Sequence, residues 1–344
     1  MISFIKSGLM TTVQDGGRTG YQRFGMPTAG AMDRYAMYLA NILVGNDMDA
    51  AVLEATVSGP KLLFQTGCAF AITGADMQAR LDGMPVEPNR AYSAQKGSLL
   101  ELRYAMSGCR SYIAFAGGLA VQSVMGSCST YTKAKIGGID GRRANDGDTI
   151  KLLSPKKTLK NMALRHAGGA LIPAYGSGVT LRVTLGPQQD RFTEAGLAAL
   201  FSEEYTVTSE SDRMGCRLMG KELELAGNKT ADIVSDAVAF GWVQAPNGRP
   251  IIMMADHQTT GGYAKPCCVI TADIPLAAQL KPGDKVRFMP ISVEQAQSIH
   301  LEHMKRLKAF SDTIEHGFLL KHRPLLMHLA GRGFNIQVDE VLKT

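Results

Sequence analysis

The 344-residue sequence has no long uninterrupted run of apolar residues. None approaches the roughly 20 apolar residues that a membrane-spanning helix needs, so we expect no membrane segment. Near the start of the chain Lys6 interrupts the first apolar residues, which argues against a secretory signal peptide. We therefore expect a cytoplasmic protein.

Several motifs that mark common enzymes are missing as well. The sequence has no G-x-x-x-x-G-K-[ST] loop for nucleotide phosphates and no strand–G-x-G-x-x-G–helix unit for a dinucleotide. It also lacks the H-E-x-x-H zinc motif and the G-x-S-x-G nucleophile turn. The six cysteines have no C-x-x-C spacing, which favours free buried thiols in a reducing compartment. No metal site is predicted.

Charge of one sign is not concentrated in any part of the chain. The 37 Lys and Arg residues outnumber 31 Asp and Glu residues, giving a net charge of +6, but they are spread throughout. We therefore expect no nucleic-acid partner. The composition, 45% hydrophobic and 20% charged, is typical of a soluble globular protein, and the 37 glycines favour many turns and strands.

What the sequence does contain is a glycine-rich stretch from Gly8 to Asp33. Its six glycines allow close backbone approach to a ligand. A long surface connection is the less favoured alternative, because loops beyond about 12–15 residues are usually functional or disordered. The polar side chains set among the glycines are those of Gln14, Asp15, Arg18, Tyr21, Gln22, Arg23 and Asp33.

This stretch leads into a predicted helix from Ala31 to Val44. Asp33 lies in its predicted first turn, where the helix dipole favours a carboxylate. The stretch therefore ends at a helix N terminus, which is a natural place for an anion. The apolar stripe of this helix consists of Met32, Tyr35, Leu39, Ile42 and Leu43.

Short candidate strands separated by turn residues fill most of the remaining chain. One series runs from residue 51 to 118 and another from 179 to 290, with little periodicity from Ser154 to Gly178. Such spacing is typical of an antiparallel barrel or sandwich. We predict a mainly β fold with short helices, comprising an N-terminal subdomain (1–165), a C-terminal subdomain (179–290) and a helical extension (291–344). A capping box of Ser292 and Gln295 opens that extension.

Two further polar segments are candidate sites. In the first, from Gly117 to Thr132, the hydroxyls of Ser127, Ser129 and Thr130 could hold ligand atoms or could cap a turn. The second, MADHQTTGGYAK (254–265), follows a predicted strand from Ile251 to Ala255. Adjacent residues on a strand point to opposite faces, so Asp256 and His257 should not form a catalytic dyad. For His257 alone we favour a structural role.

Several motifs in these segments resemble, in order, the signatures of the biotin-dependent carboxyltransferase-like family. That family includes the 5-oxoprolinase C subunit of the KipA type, allophanate hydrolase subunit 2 and the carboxyltransferase domain of urea carboxylase. The resemblance covers about residues 1–290. The matching motifs are Gln14-Asp-Gly-Gly-Arg-x-Gly-Tyr, Gly25-x-Pro-x-x-Gly-Ala-Met-Asp, Arg213-Met-Gly-x-Arg-Leu-x-Gly, Gly241-x-Val-Gln-x-Pro-x-Gly-x-Pro-Ile and Asp256-x-Gln-Thr-Thr-Gly-Gly-Tyr.

The resemblance implies a fold and a set of site residues. The fold would be two cyclophilin-like β-barrel subdomains that share a groove. The catalytic residues would be Asp15, Arg18 and Asp256. The substrate-binding residues would be Gln14, Tyr21, Asp33, Ser127, Arg213, Gln244, Gln258, Thr259 and Tyr263.

The resemblance also implies a reaction. As the C subunit of an ATP-dependent 5-oxoprolinase, the chain would help open the cyclic amide of 5-oxoproline to glutamate. It would act with two other subunits, one KipI-like (B) and one LamB/YcsF-like (A). Arg18 and Arg213 would bind carboxylate or phosphoryl oxygens, because guanidinium groups hold such oxyanions bidentately. Asp15 or Asp256 would position water or a proton. ATP would be shared with a partner subunit, since this chain has no P-loop.

Two other functions remain open for this family. The chain could be a biotin-dependent carboxyltransferase component of the urea carboxylase or allophanate hydrolase type. It has no Ala/Val-Met-Lys-Met attachment sequence, so we expect no covalently attached biotin on the chain itself. Alternatively, it could be a non-enzymatic, KipA-like antagonist of a kinase inhibitor, which needs only a partner surface.

Overall fold

The structure, a computed structural model, describes residues 1–156, 158–159, 162–227, 229–316, 320–329 and 332–341. Within these ranges the chain is mainly β, with four α-helices and several short 3₁₀ turns. The predicted fold class is therefore confirmed. The segment between residues 150 and 178, where the sequence lost its periodicity, contains 3₁₀ turns and no strand in its described part.

The N-terminal lobe, defined as residues 1–150, contains eleven strands in two antiparallel sheets. The six-stranded sheet has the order β11-β1-β4-β9-β6-β7 and the five-stranded sheet the order β2-β3-β10-β5-β8. The strands are β1 (Ile2–Lys6), β2 (Met10–Gln14), β3 (Val52–Thr56), β4 (Lys61–Phe64), β5 (Cys68–Asp76), β6 (Arg80–Leu81), β7 (Met84–Pro85), β8 (Arg90–Ala94), β9 (Leu99–Glu101), β10 (Ser107–Phe115) and β11 (Thr149–Ile150).

Aromatic packing joins these two sheets. Phe64 of the first sheet lies with its ring centroid 5.4 Å from that of Phe70 and 6.0 Å from that of Phe115, both in the second sheet. All three side chains are fully buried. Burial of such rings contributes more than almost any other side chain to a core, so this cluster fixes the sheets against each other.

The C-terminal lobe, residues 178–290, is a closed barrel of seven strands with an appended pair. The barrel order is β12-β19-β16-β17-β14-β13-β20, and β15 pairs with β18 alone. The strands are β12 (Gly178–Leu185), β13 (Tyr205–Val207), β14 (Gly215–Met219), β15 (Asp232–Ala237), β16 (Trp242–Gln244), β17 (Ile251–Met253), β18 (Thr260–Tyr263), β19 (Cys267–Val269) and β20 (Lys285–Pro290).

Four helices complete the described chain: α1 (Arg34–Leu43), α2 (Glu194–Ser202), α3 (Ile274–Ala278) and α4 (Val293–His316). The predicted capping box opens α4, because the Ser292 and Gln295 side chains each accept the other residue's backbone N–H, at 3.2 and 2.9 Å. Asp33 is the N-cap of α1 rather than a first-turn residue, and it accepts a hydrogen bond from the Ala36 N–H at 2.9 Å. The helix N terminus that was expected to receive an anion is therefore occupied by the protein's own carboxylate.

The tail contains more than the predicted helix. After α4, strands β21 (Leu320–Leu329) and β22 (Arg332–Val341) pair as an antiparallel hairpin. Pro324 lies within the first of these strands, and proline removes a helix hydrogen bond and clashes with the preceding turn. Residues 320–329 and 332–341 are therefore strands, where the sequence predicted a helical extension (291–344).

The glycine-rich stretch is also more regular than predicted. It begins with β2, which pairs in register with β3 from Met10 opposite Thr56 to Gln14 opposite Val52. The many glycines of the stretch concealed the short β pattern Met-Thr-Thr-Val. Because β2 ends at Gln14, the strand places Asp15 at a fixed point on the edge of the sheet.

The remaining expectations concern cysteines, metals and membrane spans. All six cysteines are free thiols, as predicted, but only Cys109, Cys216 and Cys267 are buried, and the other three are half-buried. Within the part of the chain that the structure describes, no cluster of three His, Cys, Asp or Glu side chains could hold a metal ion. No helix in that part is both long enough and apolar enough to span a bilayer.

Candidate active site at the junction of the lobes

Asp15 is held by the hydroxyl-rich segment from Gly117 to Thr132. Its Oδ1 accepts hydrogen bonds from the Ser127 and Ser129 hydroxyls at 2.6 and 2.5 Å and from the Gly17 N–H at 2.8 Å. Its Oδ2 accepts one from the Cys128 N–H at 2.5 Å. Four donors on one buried carboxylate fix its position, so Asp15 acts as an anchor for the surrounding loops. The hydroxyls of this segment thus bind the protein itself.

Arg18 is the most unusual side chain of the site, because it is a guanidinium group only 1% exposed. Its Nη2 donates to the Ser129 carbonyl at 2.5 Å. Its Nε and Nη1 are buried and have no hydrogen-bond partner among the described residues. Burial lowers the pKa of Arg18, although the negative charges of Asp15 and Asp256 oppose that shift. An arginine nevertheless stays protonated in proteins, so two charged donors are left unsatisfied.

Unsatisfied buried donors on a charged group are costly and normally have a partner. A carboxylate or phosphoryl oxygen would match the geometry of the two free N–H groups of Arg18. The third nitrogen, Nη2, packs against the backbone of Gly137. Gly137 has φ +69°, and a Cβ there would lie 2.0 Å from the Ser129 carbonyl oxygen and 3.0 Å from Arg18 Nη2. Only glycine therefore fits against this arginine.

Arg213 joins the two lobes. From the C-terminal lobe its Nε and Nη2 donate to the Asp256 carboxylate at 3.0 and 2.9 Å. Nη2 also reaches the Gly30 carbonyl at 2.6 Å, and Nη1 donates to Glu54 of β3. Burial disfavours its charge, but Asp256 and Glu54 outweigh burial and raise the pKa of Arg213. All three nitrogens already bind protein oxygens.

A chain of buried hydrogen bonds continues from Glu54 into the N-terminal lobe. Glu54 Oε2 accepts from the Tyr112 hydroxyl at 2.8 Å, and that hydroxyl accepts from the Asp33 N–H at 2.7 Å. The Asp33 carboxylate accepts from Tyr175 and Gln279, both at 2.9 Å. Complete burial raises the pKa of Asp33 to about 6. Asp33 thus lies inside the lobe junction and is fully buried.

Gln14 and Gln244 each have one buried side-chain atom with no hydrogen-bond partner among the described residues. Gln14, at the end of β2, donates from Nε2 to Thr12 and Thr130, whereas its Oε1 has no partner among the described residues. Gln244, at the end of β16, accepts from Gln258 Nε2 at 3.3 Å, and its own Nε2 is unpaired within the same part of the chain. Both residues are at most 2% exposed. They are therefore further candidates for ligand contacts.

Three other residues from the sequence prediction lie outside this hydrogen-bonded set. Tyr21 precedes a 3₁₀ turn and is half-buried. The Thr259 carbonyl accepts from the Val238 N–H at 3.0 Å, and Tyr263 is 41% exposed in β18. Within the described chain none of the three bonds to Asp15, Arg18 or Asp256. His257, in the turn after β17, contacts the Gln258 carbonyl through Nδ1 at 2.6 Å, so it forms no dyad with Asp256.

Sequence reasoning missed several residues of the junction. Glu54 is a charged residue in the middle of an apolar strand, Val-Leu-Glu-Ala-Thr, and that pattern was a usable signal for a buried partner. No local pattern indicated Gln279, because its hydrogen bonds are to Asp33, Cys109 and Arg110 in the other lobe. Tyr131 was also missed: burial raises the pKa of its hydroxyl, and the negative charge of Asp256 adds to that shift.

The site is suited to one oxyanion rather than a complete nucleotide. One stretch, Gly215 to Glu222, comes close to a P-loop pattern but ends in Glu where Ser or Thr is required. Residues 215–219 of it form strand β14 of the barrel. It therefore cannot wrap around phosphates as a glycine-rich loop does. Arg18, with two nitrogens that lack a partner among the described residues, is the group that this site offers to an anion.

Comparison with known proteins gives matches over most of the chain. A family model described as carboxyltransferase domain, subdomain A and B, matches residues 24–290. The chain is 39% identical over 297 residues to the 5-oxoprolinase C subunit of Escherichia coli strain K12, covering 86% of this chain and 93% of that protein. It is 35% identical over 315 residues to the 5-oxoprolinase C subunit of Haemophilus influenzae, covering 89% and 98% respectively.

A solved structure shares the fold. The crystal structure of Kluyveromyces lactis urea carboxylase superposes with a TM-score of 0.85 at 27% identity. That match covers 99% of this chain but only 32% of the urea carboxylase chain. The fold of the present chain is therefore similar to one part of a much larger enzyme.

Proposed function

The chain belongs to the carboxyltransferase domain, subdomain A and B, family, and from that premise we propose that it is the C subunit of a 5-oxoprolinase. The reaction is the ATP-dependent opening of 5-oxoproline, a cyclic amide, to glutamate. The observation that carries this proposal is the match to the E. coli protein, which extends over 93% of that protein at 39% identity. The urea carboxylase match, in contrast, covers 32% of its chain.

The Arg18 site supports this assignment. 5-Oxoproline carries a carboxylate, and ATP would activate its amide by transferring the terminal phosphoryl group to the amide oxygen, with release of ADP. The unpaired Nε and Nη1 of Arg18 suit either oxyanion. ATP supplies the phosphoryl group that activates the amide, and this chain contributes the buried guanidinium that holds an oxygen.

Asp256 is better placed than Asp15 to position water. Asp15 already accepts four hydrogen bonds from its own loops. Asp256 accepts two hydrogen bonds, both from Arg213, so its oxygens keep lone pairs for a water molecule or a substrate N–H. We therefore assign the water-positioning role to Asp256 and the anchoring role to Asp15.

Other subunits are part of the proposal. The relatives are named as subunits, which implies an enzyme complex. We propose a KipI-like protein and a LamB/YcsF-like protein as the partners. Most of the ATP site would lie on them, because this chain has no P-loop.

Reconstitution tests the proposal. The three subunits are purified separately, mixed with ATP and 5-oxoproline, and glutamate is measured with each one omitted in turn. We expect glutamate only from the complete mixture. Full activity without this chain would refute its role in the complex, and activity of this chain alone would refute the need for partners.

The structural match to urea carboxylase favours one alternative, a carboxyltransferase that acts with carboxybiotin on a separate carrier protein. Avidin distinguishes the two, because it sequesters biotin. Activity of the reconstituted mixture that persists with excess avidin supports the 5-oxoprolinase assignment. Activity that avidin abolishes supports the carboxyltransferase. If the chain binds the KipI-like protein but no activity depends on it, a non-enzymatic antagonist is indicated.

A further inference from the structure

A separate cavity lies between α1, the C-terminal lobe and α4. Its volume is about 450 Å³, within the roughly 300–1,000 Å³ typical of small-molecule sites. A smaller chamber of about 260 Å³ adjoins it and shares Tyr35 and His303. The rings of these two residues are 6.0 Å apart and stand between the chambers. None of the Arg18 site residues lines either chamber.

The cavity has an uncompensated positive charge. Arg34, the first residue of α1, has a buried Nε with no hydrogen-bond partner among the described residues. Its guanidinium carbon lies 6.0 Å from the ring centroid of Phe240. Among the described residues that line the larger chamber, none is Asp or Glu. Of the nearby carboxylates, Asp33 is engaged by α1 and Gln279, Asp273 by Arg182, and the exposed Asp49 interacts with the Tyr38 hydroxyl.

The rest of the lining is apolar or neutral. Phe240, Ile274 and Met304 provide apolar surface on three sides. Burial, and the positive charges of Arg182 and Arg306, lower the pKa of His303, so at neutral pH its imidazole is a neutral hydrogen-bonding group. Arg34 is therefore the one fixed charge among the residues that line the larger chamber.

We propose that this cavity binds a small organic anion with an apolar body. The anionic group lies on Arg34, and the body lies against Phe240 and Met304, with Tyr35 and His303 as hydrogen-bonding partners. An arginine with an unpaired buried donor, set in an otherwise apolar or neutral lining, is complementary to such a ligand in both charge and surface. Helix α4, which forms one wall, lies beyond the residues that match the family model. Because no residue of the Arg18 site lines the cavity, the proposal does not rest on the proposed reaction.

Two dyes with the same aromatic body provide the test. 8-Anilinonaphthalene-1-sulfonate carries an anionic group, whereas N-phenyl-1-naphthylamine lacks it. Binding of each dye to the full chain is followed by fluorescence titration, and a crystal structure with the sulfonate locates it. We expect one sulfonate per chain in this cavity and weaker binding of the neutral dye.

Substitutions at Arg34 and Ala239 test separately the charge and the shape of the cavity. Arg34→Met should weaken sulfonate binding at least about tenfold, with little change for the neutral dye. Arg34→Lys should keep part of the affinity. Ala239→Trp, at an exposed lining position, should fill the cavity and abolish binding of both dyes. Arg287→Met is the matched control, since Arg287 is exposed and pairs with Glu204 elsewhere.

Three outcomes would overturn the proposal. The first is failure of the native chain to bind the sulfonate dye. The second is equal sulfonate binding by native chain and Arg34→Met. The third is a crystal structure that shows the dye only at another surface. Circular dichroism of each variant confirms that a loss of binding is not a loss of fold.

Discussion

At the scale of single residues, Arg18 is the feature that links structure to chemistry. In the sequence, Arg18 is distinguished only by its place in a family motif. Arg23 lies in the same glycine-rich stretch, and residue type alone does not separate the two. The structure separates the two: Arg18 is buried with unused donors, whereas the Arg23 guanidinium lies 4.7 Å from the ring centroid of the exposed Phe24. Burial of a particular arginine depends on which loops cover it, and no local pattern encodes that.

We predict that Arg18→Met lowers kcat/KM of the reconstituted complex by about a hundredfold or more, because two charge-assisted hydrogen bonds to the substrate are lost. Arg18→Lys should restore little, since an ammonium cannot replace a planar, two-donor group. Steady-state assay of glutamate formation checks both. Arg23→Met, in the same stretch, is the control and should keep native activity. An active Arg18→Met complex would remove Arg18 from the mechanism.

The raised pKa of Asp33 predicts how the stability of the folded chain changes with pH. Burial raises its pKa in the folded chain to about 6, above the ordinary value of 3.8. The folded state therefore binds this proton more tightly than the unfolded state, and the stabilisation is present below pH 3.8 and lost as pH rises through 6. Relative to Asp33→Asn, the native chain should lose on the order of 3 kcal/mol between pH 4 and pH 7.

Urea unfolding of both proteins at closely spaced pH values measures this difference. The Asn variant keeps an N-cap acceptor for α1, so its helix should persist. Parallel stability profiles for the two proteins would show that the Asp33 carboxyl does not carry a raised pKa.

At the scale of elements, the sequence predicted strands and helices well where turn residues or caps delimit them. Asp-Gly is a typical hairpin turn, and Asp82-Gly83 joins β6 to β7 with both residues at positive φ. The capping box set the start of α4 correctly. Strands β15 and β18 were missed because charged residues or glycines interrupt their alternation, and β2 because it lies in a glycine-rich stretch. All three are recognisable as strands only from their pairing with distant segments.

The element-scale prediction concerns the contact between β14 and β3. Arg213 precedes β14 and reaches Glu54 in β3, and both Glu54 and Asp256 are buried. Arg213→Met leaves two buried carboxylates without their cation, which should cost about 3–5 kcal/mol in free energy of unfolding. The urea midpoint measures this loss. Arg217→Met, at an exposed position on the same strand, should change stability little. Equal midpoints for the two variants would contradict the role of Arg213 in the lobe junction.

At the scale of the whole molecule, the site exists only because the two lobes meet. Arg18 comes from the beginning of the chain and Asp256 from the barrel, yet the charge of Asp256 acts on Arg18. The sequence alone could name these residues by family motif. It could not show that Arg213 and Asp33 form hydrogen bonds within the junction, whereas two nitrogens of Arg18 have no partner among the described residues. This difference depends on hydrogen bonds between segments more than a hundred positions apart.

The most direct test of the account is a crystal structure of the reconstituted complex with 5-oxoproline. We predict that a carboxylate or phosphoryl oxygen of the bound ligand lies within about 3 Å of Arg18 Nε or Nη1, at the junction of the lobes. A ligand ordered elsewhere, with both nitrogens of Arg18 bound to protein or water, would contradict the account.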